Sequence, residues 1–323
     1  MKNIGRAFAY IYALAGLLAA APVALADTLL VGNKGEDTVS FIDLASGNER
    51  ARAATGKAPH EIAVSPNGKQ AAVAAYGGTT LDIFDVSTAR LTRRIDLSPN
   101  AAPHGIVWLR DGRIALAAEK SRSVVLVDPR RGTLQSIATE QAGTHMIAAS
   151  PDQRFGYVAN VGAGTISVID LRRAEKIRDI TVGGNPEGLA VTPDGRELWV
   201  GDNSAPRVRI VDLASDRTIE TLATGPVAIR VAISPDGRTA VTSNIGAGTL
   251  SVFDVASRKL LRTVTVSGAR DAVQVTATFT RDGRHVLVAE TGRGTIAEVD
   301  LASDQVLRRL TVGKGGDGIG IAP

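Results

Sequence analysis

Three of the four histidines in this 323-residue chain share one setting. His60 stands near the start of APHEIAVSPNGK (58–69), His104 in APHGIVWLRDGR (102–113) and His145 in GTHMIAASPDQR (143–154), each just ahead of an apolar run that ends in a turn. An imidazole titrates near neutral pH, so it can ligate a metal, take a proton from water or return one. Carrying the same register through the chain gives Glu187, Ile229, Val275 and Asp317, with Arg230 directly after Ile229. His60, His104, His145, Glu187, Arg230 and Asp317 are therefore the candidate ligand-binding set. Three imidazoles with a carboxylate make a workable Zn(II) or Cu(II) shell, with His60, His104 and His145 as ligands. Glu61 and Glu119 are placed to orient the rings. The plainer alternative is that each histidine bonds a backbone carbonyl and packs the mouth of its own repeat. The fourth histidine, His285, is out of register and is expected on the surface.

What positions these residues is a repeat. An aspartate closes an alternating strand at Asp43, Asp85, Asp128, Asp170, Asp212, Asp254 and Asp300, in steps of 42, 43, 42, 42, 42 and 46 residues. A turn of the SPDG kind recurs in register with it, as at Ser65–Gly68, Thr192–Gly195 and Ser234–Gly237; Pro, Asp or Asn, and Gly supply the dihedral angles such turns need. The unit 185–225 reads as four short strands, GLAVT, ELWVG, RVRIVD and TIETLA. Seven such units predict an all-β, seven-bladed β-propeller with four antiparallel strands per blade. The chain enters on a second strand (TLLVGN) and ends on a lone first strand (GIGIAP). A closing blade built from 27–56 plus 314–323 would remove the open edges. First strands line the channel of a propeller, which puts the histidine register at the channel mouth.

Other polar positions read as scaffold. Each repeat aspartate can bond nearby backbone N–H groups of its turn. A ring after the second strands, Asn33, Tyr76, Glu119, Asn160, Asp202, Asn244 and Glu290, is expected to brace the following loop, with the carboxylates less easily explained. Trp108 and Trp199 should fill gaps between blades. GKGGDG (313–318) matches a dinucleotide-binding motif by letters, but strand follows strand there and no helix N-terminus can meet a phosphate.

Bulk properties set the compartment and exclude several classes. Lys2 and Arg6, an uncharged apolar run, and Ala24-Leu25-Ala26 before Asp27 have the layout of a cleaved export signal over 1–26. No cysteine is present, which rules out disulfides, Cys-ligated zinc and covalent c-type haem. The expectation is a soluble periplasmic monomer of 27–323, with no membrane span once the signal is removed. The formal charge of +4 falls to about +2 without the signal. Basic pairs such as Arg93-Arg94 and Arg172-Arg173 read as solvated strand and turn residues, and aromatics are 4%, so nucleic-acid binding is not expected.

Tyr157-Val158-Ala159-Asn160, Thr165–Asp170, Ile180–Gly183 and Gly188–Asp194 resemble the YVTN repeat of exported, mostly seven-bladed propellers. Pro59–Gly78 also looks like the P-H and Y-G-G segments of lactone-hydrolysing propellers. The first resemblance implies the fold across 27–323 and a ligand- or partner-binding periplasmic protein. The second implies a hydrolase in which His104 or His145 acts as base, Glu187 assists and Arg230 holds the carbonyl or carboxylate. A Zn(II)- or Cu(II)-holding protein is the third reading, with the partner otherwise an unknown small ligand or periplasmic protein. The D-x-x-T-G-x-x-x-W signature of quinone-dependent propellers is absent.

Overall fold

A computed structural model describes residues 27–323; the export signal expected over 1–26 lies outside the described residues. Among these, the chain forms seven four-stranded antiparallel sheets. Blade 1 pairs Thr28–Asn33, Thr38–Asp43 and Glu49–Ala54 with the C-terminal strand Gly316–Ala322. Blades 2 to 7 are contiguous in sequence and begin with the inner strands Pro59–Val64, Pro103–Trp108, Thr144–Ala149, Pro186–Val191, Ala228–Ile233 and Gln274–Phe279. The expected closure is therefore present, with Leu30 opposite Gly320 and Leu29 opposite Ile321.

The alternating strands bury both faces of each blade against its neighbours. Seven apolar clusters are found across the described residues, one at each blade interface. Trp108 joins the cluster between blades 2 and 3, and Trp199 the one between blades 5 and 6, as expected of gap-fillers. All seven repeat aspartates accept backbone N–H bonds within their turns, for example Ser46 to Asp43 at 2.7 Å and Thr88 to Asp85 at 2.8 Å. Arg172 and Arg173 are exposed turn residues, as expected, but the Arg93-Arg94 pair is less idle than its sequence suggested. Arg93 donates to the carbonyl of Arg130 in the next blade, while Arg94 forms a two-pronged bond to the buried carboxylate of Asp82. Arg50 and Arg308 tie their outer strands to a turn of the following blade in the same way as Arg93.

One irregularity of the inner strands positions the site. Every inner strand carries one extra residue near its start relative to its partner, as where Pro59 faces Ala75 and Glu61 faces Ala74. The same bulge recurs in the other six blades. A bulge bends the strand and re-aims side chains, and each of these falls at the histidine register. The residue ahead of the strand often has positive φ, including Ala58, Ala102, Val227 and Val273. For alanine and valine that conformation costs energy and persists only where the surroundings enforce it.

Candidate functional site

At the channel mouth the structure brings all six candidate residues into one network. Consecutive inner strands carry Asp317, His60, His104, His145 and Glu187 side by side. The three imidazoles form a stack, with ring centroids 4.2 Å apart between His60 and His104 and 3.6 Å between His104 and His145. Tyr76 meets both His60 and His104 edge-on, with centroids 5.3 Å away in each case.

The two ends of the stack have different partners. His145 lies between two carboxylates, with Nδ1 2.7 Å from Glu119 and Nε2 3.5 Å from Glu187. His60 Nδ1 stands 3.3 Å from the buried Asp317, which Lys34 also contacts at 2.8 Å. That approach lacks hydrogen-bond alignment, so His60 Nδ1 has no bonded partner, and neither does His104 Nδ1. These carboxylate partners replace the backbone carbonyls of the plainer reading.

Burial and charge push the histidines in opposite directions. Loss of solvent brings His60 down to about 4, against the opposing pull of Asp317. His104, only 1% exposed, is likewise held well below its usual range by burial and by the neighbouring histidines. For His145 burial also disfavours the charge, but the bonds to Glu119 and Glu187 outweigh it and raise its pKa. Burial alone would raise the Glu187 carboxyl; His145 and Arg230 together bring it down to about 2. The site thus holds two imidazoles that resist protonation beside one whose protonated form is stabilised.

Arg230 is committed within the cluster. Its guanidinium donates to Glu187 at 2.5 Å and to Glu61 at 3.0 Å, although Glu61 belongs to a blade not adjacent to its own. Ion pairing and burial therefore fix two carboxylates across the channel, rather than leaving the guanidinium directed at a substrate carbonyl. Glu187 receives a further bond from Asn203. Glycines make room for these long side chains: the residue after the register position alternates Gly318, Glu61, Gly105, Met146, Gly188, Arg230. A Cβ on Gly188 would come within 2.5 Å of the Arg230 Cα, and one on Gly105 within 2.6 Å of the Met146 Cα.

The bracing ring holds in part. Asn33, Asn160 and Asn244 each bond the Thr and Ser of the following strand, and Glu290 bonds Thr295 and Arg309. Asp202 serves Ser204, Arg207 and Arg209. Glu119 and Tyr76 depart from that role because the bracing position in their blades is held by Ala118 and Ala75, which pair with Ser123 and Thr80 as Asn160 pairs with Thr165. Glu119, one residue on, reaches His145 and Tyr76, and Asn100 does the bracing in blade 3. His285 is half-buried and bonded to Glu298 at 2.7 Å, not a free surface residue. Lys34 and Asn203 were not anticipated, yet both share one repeat position with Tyr76 and Glu119, directly after the second strand, where each backbone N–H bonds the carbonyl of the residue ahead of the inner strand.

Comparison with known proteins agrees with this architecture. The chain superimposes on a structure of Kuenenia stuttgartiensis hydrazine synthase with a TM-score of 0.71, at 20% identity over 80% of this chain and 87% of the other. It also superimposes on dihydro-heme d1 dehydrogenase NirN in complex with DHE, with a TM-score of 0.68 at 16% identity over 91% and 74% of the two chains. At such identities the likeness is one of fold. No curated protein sequence matches the chain. The family described as lactonase, 7-bladed beta-propeller, matches residues 23–224, more than half of the sequence, and the chain belongs to that family.

Proposed function

We propose that the protein hydrolyses a cyclic ester at the channel mouth, as an exported periplasmic propeller of YVTN-type repeats. The observation that carries this reading is the split within the histidine stack: His60 and His104 have nitrogens without partners, while His145 is held between two carboxylates. Neighbouring groups whose environments push their protonation apart are what acid–base chemistry requires. In this reading the uncommitted imidazole pair activates the attacking water. His145, kept protonated by Glu119 and Glu187, returns a proton to the ring oxygen as the acyl C–O bond opens, releasing a hydroxy acid. Arg230 acts at one remove, by holding Glu187 and Glu61 in place. This assigns His104 to the base, keeps Glu187 as the assisting carboxylate, and moves His145 from base to acid. Membership of the lactonase family supports the substrate class.

A second reading, a ligand-holding propeller without turnover, is favoured by the burial of Arg230, Glu61 and Asp317 in pairs that leave little of them for a substrate. The test is hydrolysis of a panel of sugar and muconate lactones by the untagged mature chain, followed by acid release. Turnover that falls on the order of 10²–10⁴-fold in His145→Ala and in His104→Ala is expected for a lost acid or base. Absence of any hydrolysis above background sinks the hydrolase and leaves the binding reading.

A further inference from the structure

The unpartnered nitrogens of the histidine stack need an explanation of their own. Buried polar atoms without a partner are rare in native proteins, and each points to strain, catalysis or a missing group. Here two adjacent imidazoles, His60 and His104, show the same deficiency. One ligand atom from each of His60, His104 and Glu61 lies within 4.8 Å of the other two. Ligands on one tetrahedral zinc ion, bound at about 2.0–2.2 Å, sit roughly 3.4 Å apart, so modest side-chain rotations would close the set.

Charge favours the same conclusion. Four carboxylates, Glu61, Glu119, Glu187 and Asp317, face two permanent cations, Arg230 and Lys34, and even a protonated His145 leaves the cluster one negative charge in excess. We propose that His60, His104 and Glu61 form a three-ligand site for a zinc-class divalent cation, with its remaining position open to water or ligand at the channel mouth. Two imidazoles and one carboxylate are a donor set that borderline cations favour, and three protein ligands are the pattern of sites that keep a place for a reacting water. Asp317 beside His60 Nδ1 is placed to orient that ring. His145 is outside the set, because both of its nitrogens face carboxylates. The ion therefore binds a different trio from the three histidines that sequence register selects. The site stands on the same cluster as the hydrolase reading and gives that reading its water-activating agent, but binding does not depend on turnover.

The test uses untagged mature protein stripped with a chelator and titrated with Zn(II) and with Co(II). Bound metal is measured after dialysis and the Co(II) complex by its visible absorption. One equivalent with a tetrahedral Co(II) spectrum is expected. His104→Gln should weaken binding at least 100-fold while its urea midpoint stays that of a folded chain, and His145→Gln should stay within about tenfold of wild type, as expected of a residue outside the ligand set. No stoichiometric metal in the wild type overturns the proposal. Equal loss in His145→Gln and His104→Gln overturns the assignment of ligands. Lactone turnover by a wild type that takes up no metal would refute this site and spare the hydrolase; stoichiometric metal without turnover would do the reverse.

Discussion

Arg230→Met tests whether the channel mouth is as dry as its burial implies. The substitution keeps most of the volume and removes the cation shared by Glu61 and Glu187, both less than a tenth exposed. Removing one partner of a buried ion pair costs about 3–5 kcal/mol, because the other charge stays desolvated. Glu187 retains His145 and Asn203, so the loss falls mainly on Glu61, and about 3 kcal/mol at pH 7 is expected. In a chain of this size that lowers Tm by roughly 5 °C. Burial already raises the Glu61 carboxyl, and losing Arg230 raises it further. The folded variant then holds a proton that the unfolded chain, with a glutamate near about 4.3, has released. Stability relative to wild type must therefore recover as pH falls through the folded value. Urea unfolding at pH 7 and pH 5 reads this directly, and adding Glu61→Gln should restore about 1–2 kcal/mol at pH 7. A penalty below about 1 kcal/mol, with no recovery at pH 5 and none from Glu61→Gln, would mean that water reaches these charges and that the electrostatic account of the site is wrong.

Metal-free wild type should show the opposite slope. His60 titrates at about 4 when folded and near 6.5 when unfolded, so between pH 7 and pH 5 the unfolded chain takes up a proton that the folded one refuses. This removes about 2 kcal/mol. His104, held low by the same burial, adds to the loss, so His60→Gln should reduce it by about 2 kcal/mol when urea midpoints are compared at the two pH values. Packing at the inner ring is tested by Gly188→Ala, whose new methyl meets the Arg230 backbone and should cost about 1–3 kcal/mol as overpacking. Gly78→Ala, where the nearest atom is 4.0 Å away, should leave the thermal midpoint almost unchanged.

Much of the architecture was legible because it is periodic. The aspartates from Asp43 to Asp300 and the SPDG turns are local features, set by backbone bonds a few residues apart, and they recur seven and six times along the chain. Strand order and the closing blade follow from them with little further information. The histidine register was legible for the same reason, since it is a position in the repeat. What each residue does there was not, because function depends on the residues that break the repeat. Glu119 lies one residue past the bracing position, which alanine holds in its blade, so its carboxylate turns to His145 and Asn100 takes over the bracing.

The ion pair between Arg230 and Glu61 shows where local reasoning stops and what signal remained. The two are 169 residues apart and belong to non-adjacent blades, so neither repeat length nor strand pattern joins them. Their positions were nevertheless marked. One residue after the histidine register, glycine alternates with a larger side chain from Gly318 through Arg230, which runs against the sameness that a repeat otherwise imposes. Inner strands approach so closely at Gly105 and Gly188 that a methyl group would meet the neighbouring backbone. A larger side chain is therefore admitted on every other blade, and where it is charged it must meet its counter-charge across the channel or remain unpaired and desolvated. Glu61 and Arg230 are the charged residues in that alternation, so the physics of the inner ring selects them as partners once the alternation is seen.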